Sequence, residues 1–279
     1  MEDKASNLPT SLCCAVSADG LRLVIPQTNK FMVYQAGETK PVEFSANVQV
    51  FPKVAGSDED DYAASHRNFG YPGIVWLDSN RFMFAKSHPM QWKVDADGSH
   101  ADTNNNGLAI YDLTTGAIND LSRTSMVSVK WFTVDGNSLI LAVYKSNVSG
   151  LVDENSGLII YEIQDYTNAD SQLLELALQD DFQSTIAYSF TTKQLYIQPT
   201  GAIVGTPTYG SNNVIQRLNV STGEEGTVTI KGLGSYPSIE GVIGPDKLVV
   251  NNSIGANNNY NIYDVQSGLA EHIFSFDNN

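Results

Sequence analysis

Ala15-Val-Ser-Ala-Asp19-Gly20-Leu-Arg-Leu-Val-Ile25 is the stretch that decides the fold. It predicts a strand, a tight turn at Asp19-Gly20 and a second strand, because apolar residues flank the turn and Asp-Gly accepts the positive φ of a two-residue hairpin. The phrase recurs at spacings of 59, 57, 57 and 54 residues, and its turn residues are Asp19, Asp78, Asp135, Thr192 and Asp246. A near-constant period indicates a repeat architecture, here of five units.

A second phrase recurs later in each unit. Two of its copies are Gly107-Leu-Ala-Ile-Tyr111-Asp112-Leu-Thr-Thr-Gly116 and Tyr260-Asn-Ile-Tyr263-Asp264-Val-Gln-Ser-Gly268. These two copies are rich in β-forming residues, end in a Gly-containing turn and are followed by a fourth strand. Four antiparallel strands per unit, repeated five times without a helical period, are typical of a β-propeller whose units are blades around a central channel.

The predicted fold class is therefore all-β, a five-bladed β-propeller of four-stranded antiparallel blades forming a single domain. Six or seven blades are the alternative, because the 77 residues from Tyr34 to Tyr111 exceed the 45 to 57 that separate the later equivalents. The predicted blades cover about 8–45, 73–122, 127–178, 185–231 and 237–277.

The two phrases resemble the blade motifs of the bacterial propeller repeats of the TolB, YncE and WD-like families. The resemblance covers nearly the whole chain and implies the propeller fold. It does not separate binding scaffolds from enzymes, because both share these motifs. Each blade lacks the Gly-His and Trp-Asp pair of eukaryotic WD repeats, so the resemblance favours the bacterial families.

The charge balance excludes two classes of partner. Thirty-one acidic residues against sixteen basic ones give a formal charge of −15, which repels nucleic-acid phosphates and anionic lipid surfaces. No run of about 18 apolar residues predicts a membrane span, and the first residues have no apolar core of a signal peptide. Few lysines and many Asn, Ser, Thr and Gly residues favour an exported protein, periplasmic or extracellular, and a cytoplasmic protein is the alternative.

Two insertions, 48–72 and 86–106, interrupt the repeat. We expect both on one face, because blade-to-blade connections and second-to-third-strand loops leave a propeller on the same side. Long loops on a rigid scaffold are where binding and catalysis usually lie. Exposed aromatic, imidazole and guanidinium groups suit a protein or glycan ligand. The predicted ligand-binding residues are His66, Arg67, Tyr71, His88, Trp92 and Tyr236.

The second insertion also predicts a calcium-stabilised loop. Asp102, Asn104 and Asn106, followed by Gly107, reproduce the alternate oxygen spacing of a calcium loop. Leu113 stands where an EF-hand has its bidentate Glu, so a true EF-hand is excluded. The alternative is an ordinary solvated Asn-rich turn, and no other cofactor is predicted.

A transition-metal site is a further interpretation of the two insertions. His66, His88 and His100 could assemble it with nearby aspartates. No His-x-x-x-His or paired-Cys spacing accompanies these histidines.

The predicted function is a non-catalytic scaffold that binds a protein or carbohydrate ligand through loops on one face. The alternative is a glycoside hydrolase or other hydrolase at the channel mouth. Such an enzyme needs carboxylates projecting from different inner strands, and its candidates are Glu240, Asp60 and Asp61. A third class is a structural module of a larger exported assembly.

Overall fold

Alternating apolar residues and glycine turns give a structure made of β-strands. The structure is a computed structural model, and it describes residues 14–27, 29–46, 73–87, 91–95, 98–102, 105–124, 129–144, 158–179, 185–198, 213–233, 237–254 and 257–277. Within these residues the one helical segment is a 3-10 turn at Ser122–Thr124.

Five four-stranded sheets, called blades 1 to 5, form the body of the protein. Blade 1 consists of β1 (Ala15–Val16), β2 (Arg22–Gln27), β3 (Lys30–Gln35) and β4 (Val42–Ser45). Blade 2 consists of β5 (Ile74–Trp76), β6 (Arg81–Ser87), β9 (Asn105–Asp112) and β10 (Ile118–Asp120), and a separate pair, β7 (Gln91–Asp95) and β8 (Gly98–Asp102), lies between β6 and β9 in sequence.

Within the described residues, the later blades follow the same order without an added pair of strands. Blade 3 consists of β11 (Val129–Asp135), β12 (Ser138–Tyr144), β13 (Leu158–Ile163) and β14 (Leu173–Gln179). Blade 4 consists of β15 (Thr185–Ser189), β16 (Gln194–Gln198), β17 (Val214–Asn219) and β18 (Glu225–Thr229). Blade 5 consists of β19 (Pro237–Ile243), β20 (Lys247–Ile254), β21 (Asn257–Asp264) and β22 (Ala270–Asp277).

Within the described residues this architecture is a five-bladed β-propeller, so the predicted fold class is confirmed, with five blades rather than the alternative of six or seven. The strands that the structure pairs in blades 1, 4 and 5 are antiparallel neighbours in sequence, which is the arrangement in which a short turn can join two strands. The described residues fall into two compact units. The first holds blades 1 and 2 with the ranges 129–144 and 160–175 of blade 3, and the second holds blades 4 and 5 with the ranges 158–159 and 176–179 of blade 3.

The core of the first unit is a cluster of aromatic rings contributed by blades 1 and 2. Phe31 of β3 is fully buried, and its ring centroid lies 4.7 Å from that of Phe82, 5.0 Å from that of Phe84 and 5.0 Å from that of Tyr111. All three contacts are edge-to-face, the arrangement that the ring quadrupole favours by about 0.5–1.5 kcal/mol per pair. Phe82 and Phe84 are two residues apart on β6, so the strand period directs both into this core.

The core of the second unit is mostly aliphatic and contains one buried polar clip between blades 4 and 5. Its buried residues include Ile215, Ile239, Leu248 and Val250. Gln198, which is 3% exposed, donates from Nε2 to the carbonyl oxygen of Pro237 at 2.6 Å and accepts the amide of Ile239 at Oε1 at 2.8 Å. The clip satisfies two backbone groups at the first strand of blade 5 that would otherwise be buried without partners.

The hairpin turns that define the repeat are not all of the predicted two-residue kind. The turn of blade 1 spans Ser17 to Leu21: the amide of Gly20 donates to Ser17 O at 2.8 Å, and only Gly20, not Asp19, has a positive φ, of 72°. Asp19 instead acts through its side chain, because Oδ1 accepts the Ser17 hydroxyl at 2.6 Å and the Leu21 amide at 3.0 Å. These hydrogen bonds lower the pKa of Asp19.

The turn of blade 3 has the predicted length, since Asp135 pairs with Ser138 and only Gly136 and Asn137 lie between them. Gly136 has φ +62°, the sign that a type II′ turn needs at its first central residue. In blade 4 Lys193 has φ +55° and is the one non-glycine with positive φ among the described residues.

The second phrase forms the turn between the third and fourth strands. In blade 2, Asp112 Oδ1 accepts the amides of Thr114 at 2.7 Å and Thr115 at 3.0 Å, and Gly116 has φ +70°. Asn219 and Asp264 accept the two corresponding amides in blades 4 and 5. The phrase is therefore a side-chain-capped turn whose Asp or Asn oxygen replaces backbone partners.

The tyrosine of this phrase also ties neighbouring blades together within each unit. Tyr111 donates its hydroxyl to Ser45 O at 2.9 Å, which links blade 2 to blade 1. Tyr263 donates to Thr229 O at 3.0 Å, which links blade 5 to blade 4. Both rings are buried, so one residue supplies core contact and a satisfied hydroxyl at the blade edge.

Candidate functional site

Most of the predicted loop residues lie outside the described residues. The whole first insertion, 48–72, is among them, and so are His88, Asn104 and Tyr236. The predicted binding residues His66, Arg67 and Tyr71 and the predicted acids Asp60 and Asp61 belong to that insertion. Their roles, and the prediction that the two insertions share a face, stay predictions.

The second insertion contains the β7–β8 hairpin. Its strands pair in register from Gln91 with Asp102 to Asp95 with Gly98, and Trp92 pairs with Ala101. Within the part of the chain that the structure describes, blade 2 is the one blade with such an added hairpin between its second and third strands. This hairpin is thus an addition to the repeat, and it lies between β6 and β9 in sequence.

The predicted calcium ligands fall at the junction between this hairpin and the blade. Asp102 is the last residue of β8, and Asn106 is the second residue of β9. Gly107 has φ +80°, close to where the β6–β9 register shifts between Ala85 and Ser87. Among the described residues there is no group of three or more His, Cys, Asp or Glu side chains that could hold a metal ion. The calcium site therefore stays a prediction.

Glu240 is the one predicted catalytic residue whose surroundings the structure describes. It lies on β19, the first strand of blade 5, at a β-bulge: Ile239 pairs with Val250 and Gly241 pairs with Val249, so Glu240 is the extra residue between them. A bulge turns the local side chain away from its expected direction and is often found beside functional sites.

Two polar neighbours contact the Glu240 carboxyl group. Ser238 donates its hydroxyl to Oε1 at 3.3 Å, and Asn251 forms a side-chain hydrogen bond with it. The Glu240 side chain keeps an exposed surface, yet the packing around it partly desolvates the carboxylate. This desolvation raises the pKa of Glu240 above its ordinary value, and the bonds from Ser238 and Asn251 offset part of the rise.

A row of polar and aromatic residues continues from Glu240 across blade 5. Asn251 pairs with Tyr260, which pairs with Phe274, and the last two rings stack with centroids 4.7 Å apart. Burial raises the pKa of Tyr260, and the negative charge of Glu240 raises it further. Oδ1 of Asn251 is buried and has no hydrogen-bond partner among the described residues. The row therefore places a buried amide oxygen beside a stacked aromatic pair.

The other predicted acids of a hydrolase centre, Asp60 and Asp61, lie outside the described residues. Glycoside hydrolysis needs two carboxyl groups on opposite sides of the scissile bond. Glu240 is therefore one candidate acid with a raised pKa, and a partner carboxylate for it stays a prediction.

Comparison with known proteins supports the fold. No protein-family model matches the chain, and no curated protein matches it in sequence. The solved structure of TolB from Acinetobacter baumannii has a TM-score of 0.53 and 14% identity over 93% of this chain. The structure of a putative TolB from Agrobacterium tumefaciens has a TM-score of 0.53 and 14% identity, over 95% of this chain and 80% of that one.

Other propellers are similar to a comparable degree. The Cps50 (Swd1) β-propeller domain from Myceliophteria thermophila has a TM-score of 0.51 and 9% identity, over 97% of this chain and 73% of that one. An oligogalacturonate lyase in complex with manganese has a TM-score of 0.52 and 13% identity, over 93% of this chain and 63% of that one.

The chain has the fold of the TolB-like β-propellers. The resemblance predicted from the blade motifs is confirmed at this level, and the WD-like resemblance is supported by the Swd1 propeller. This chain spans 53% of the length of the Acinetobacter TolB. At 14% identity or less these likenesses show a propeller scaffold and assign no activity.

Proposed function

We propose that this propeller is a non-catalytic recognition scaffold that holds a protein or glycan ligand on the loops of one face. The observation that carries the proposal is the β7–β8 hairpin, because an ordered hairpin added to one blade adds surface without adding to the repeated core. A rigid body that presents pre-ordered loops loses little entropy on binding. TolB-like and WD-like propeller neighbours support a scaffold rather than any particular ligand.

The test compares the full chain with a variant in which Gln91–Asp102 is replaced by a two-residue Asn-Gly turn. Both proteins are immobilised and probed with an array of neutral and acidic glycans. We expect binding by the full chain that the hairpin variant loses, with Trp92→Ala reducing it. Gln266→Ala, an exposed substitution on blade 5, is the control. Absence of glycan binding together with absence of a protein partner that depends on the hairpin would contradict the proposal.

The proposed calcium loop of Asp102, Asn104 and Asn106 has its own test. A bound ion that prefers the folded state raises the melting temperature. We expect calcium to raise it for the parent chain and not for Asp102→Ala, and the rise to be reversed by EDTA. An unchanged melting temperature in both would remove calcium from the proposal.

Location and partners follow from charge and from the neighbours. We propose export to the periplasm or cell exterior, supported by the composition and by the TolB-like neighbours. None of the described helical residues forms a segment long and apolar enough to cross a bilayer. The formal charge of −15 opposes binding to nucleic acid. Fractionation of the source cells, with detection of the chain by antibody, tests the location.

A hydrolase with Glu240 as its acid is the second candidate function. The observation that favours it is a carboxyl with a raised pKa on a bulged inner strand, the property of a general acid. The test is product release from a panel of oligosaccharides, including oligogalacturonate with and without manganese because one structural neighbour is a lyase of that class. Activity that Glu240→Gln abolishes, in a variant of unchanged melting temperature, would support it and overturn the non-catalytic proposal.

A further inference from the structure

The connection between the third and fourth strands of blade 3 departs from the repeat. In blades 2, 4 and 5 five residues join these strands, at 113–117, 220–224 and 265–269. In blade 3 the connection is residues 164–172, nine residues. Additions to a repeat that leave the core strands in place are frequently used for binding. The segment 164–172 is called the blade 3 loop below.

The blade 3 loop is held in one conformation by its own hydrogen bonds. Asp165 Oδ1 accepts the Thr167 amide at 3.0 Å and the Thr167 hydroxyl at 2.6 Å. The Asp165 amide donates to the buried Ser171 hydroxyl at 2.8 Å. The Tyr166 amide donates to Asn137 O at 2.9 Å, which fixes the loop to the β11–β12 turn of its own blade. A loop bound in this way is pre-organised.

A cleft of about 270 Å³ lies between the blade 3 loop and strands β9 and β10 of blade 2. Aliphatic side chains of Ile110, Leu121 and Ile163 line it, and Leu121 and Ile163 are buried. Pockets for drug-sized ligands measure about 300–1,000 Å³. This cleft therefore suits one small ring rather than an extended ligand.

Polar groups surround the apolar lining. Asn119 and Asp120 contribute from β10, and Tyr166, Thr167 and Asn168 contribute from the loop. Asn168 Oδ1 accepts the Asp170 amide at 3.0 Å, so its NH₂ group points elsewhere as a donor. The Thr167 hydroxyl donates to Asp165, so toward a ligand it can act as an acceptor. The cleft thus offers donors, acceptors and one aromatic side chain.

The charge of the cleft is close to balanced. Asp120 Oδ2 lies 2.8 Å from Lys86 Nζ, and the Lys86 side chain is 13% exposed. Because this pair cancels the one carboxylate of the lining, the cleft neither attracts a cation strongly nor neutralises an anion. The net charge of −15 further disfavours phosphates and uronates.

We propose that this cleft binds one ring of a neutral sugar. A pyranose ring presents a face of C–H groups and an edge of hydroxyls that both donate and accept. The C–H face would pack on Ile110, Ile163 and the Tyr166 ring, and the hydroxyls would pair with Asn119, Asp120 and Asn168. The site is separate from the loops proposed above for the scaffold function, since no residue is shared.

The test is saturation-transfer NMR of the full chain with glucose, galactose, mannose, xylose and N-acetylglucosamine as probes, followed by titration of any sugar that binds. We expect at least one of these sugars to bind. Asn119→Ala and Asn168→Ala, both at exposed positions, should each weaken the affinity about tenfold, the effect of one lost hydrogen bond. Ala169→Tyr, which narrows the cleft, should abolish binding.

The matched control is Thr227→Ala, an exposed substitution on the fourth strand of blade 4 that should leave the affinity unchanged. A melting curve of each variant verifies folding. Absence of binding by all five sugars would overturn the proposal. So would sugar binding that all three cleft variants retain; if replacement of the β7–β8 hairpin removed that binding, the scaffold proposal would be supported and the cleft proposal overturned. Sugar binding that the cleft variants lose and the hairpin variant keeps would support the cleft proposal.

Discussion

In the first unit Phe31 joins blades 1 and 2 through three ring contacts, whereas in the second unit Gln198 joins blades 4 and 5 through two buried hydrogen bonds. Substitutions destabilise these two kinds of contact for different physical reasons. Removing a ring leaves a cavity and lost apolar contact. Removing the amide leaves two backbone groups desolvated without partners. Repeated blades can therefore be joined by unlike chemistry, and the substitutions that follow separate the two.

Phe31→Ala should have the largest effect. The side chain is fully buried among Phe82, Phe84 and Tyr111, so its loss should lower the free energy of unfolding by about 3–5 kcal/mol. Urea unfolding followed by tryptophan fluorescence measures it, because Trp76 packs against Phe82 with ring centroids 5.3 Å apart. The exposed Phe190→Ala is the control and should cost far less. Equal losses for the two variants would show that the ring cluster does not hold blades 1 and 2.

Gln198→Met should have the next largest effect. Methionine keeps most of the side-chain volume but leaves Pro237 O and the Ile239 amide unsatisfied, at about 1–3 kcal/mol for such a group. We expect the substitution to lower the free energy of unfolding by about 2–4 kcal/mol in total, measured by urea unfolding. Gln266→Met is the control, because that amide donates to Asp246 at 2.6 Å on the surface. If both variants lost the same free energy of unfolding, burial of the Gln198 hydrogen bonds would make no contribution to stability.

The tyrosine bonds allow the same substitution in both units. Tyr111→Phe and Tyr263→Phe each remove one hydroxyl, bonded to Ser45 O and to Thr229 O. We expect similar losses of about 0.5–1.5 kcal/mol from thermal melts, because the two bonds are equivalent by repeat. Losses differing more than twofold would mean that the surrounding cores, rather than the shared bond, decide the effect.

The repeat itself could be predicted from sequence because turn chemistry is local. Equivalent turns are capped by the side chains of Asp112, Asn219 and Asp264. In each turn a glycine of positive φ stands four residues after the capping residue. Even here the sequence predicts the position of a turn better than its type. The turn of blade 1 is longer than the Asp19-Gly20 pair suggests, because the Ser17 carbonyl oxygen accepts the Gly20 amide and the Ser17 hydroxyl donates to Asp19.

The candidate sites and the contacts between blades were less predictable because they depend on residues that are distant in sequence. Gln198 has no sequence signal, since nothing local marks an amide that bonds a strand 39 residues away. No local sequence pattern predicts the β-bulge at Glu240 either, although the sequence identifies Glu240 as a carboxylate on an inner strand. The blade 3 loop does have a signal: Ile163 is followed by no glycine turn of the kind that ends the phrase in blades 2, 4 and 5.

Glu240→Gln should have the smallest effect, and its sign depends on pH. The folded-state pKa of Glu240 is raised above its unfolded value, so the folded protein binds more protons and the stability contribution of this group falls as pH rises from the unfolded pKa through the folded one. Glutamine does not titrate. At neutral pH the variant should therefore be slightly more stable than the parent, by less than about 1 kcal/mol because the side chain keeps solvent contact, and the advantage should vanish below the unfolded pKa. Melting temperatures of both proteins from acid to neutral pH measure this, with exposed Glu271→Gln as the control. A parent more stable than Glu240→Gln at neutral pH would contradict this prediction. It would mean that the hydrogen bonds from Ser238 and Asn251 stabilise the carboxylate more than burial destabilises it. Glu240 would then be a hydrogen-bonded structural carboxylate rather than a general acid.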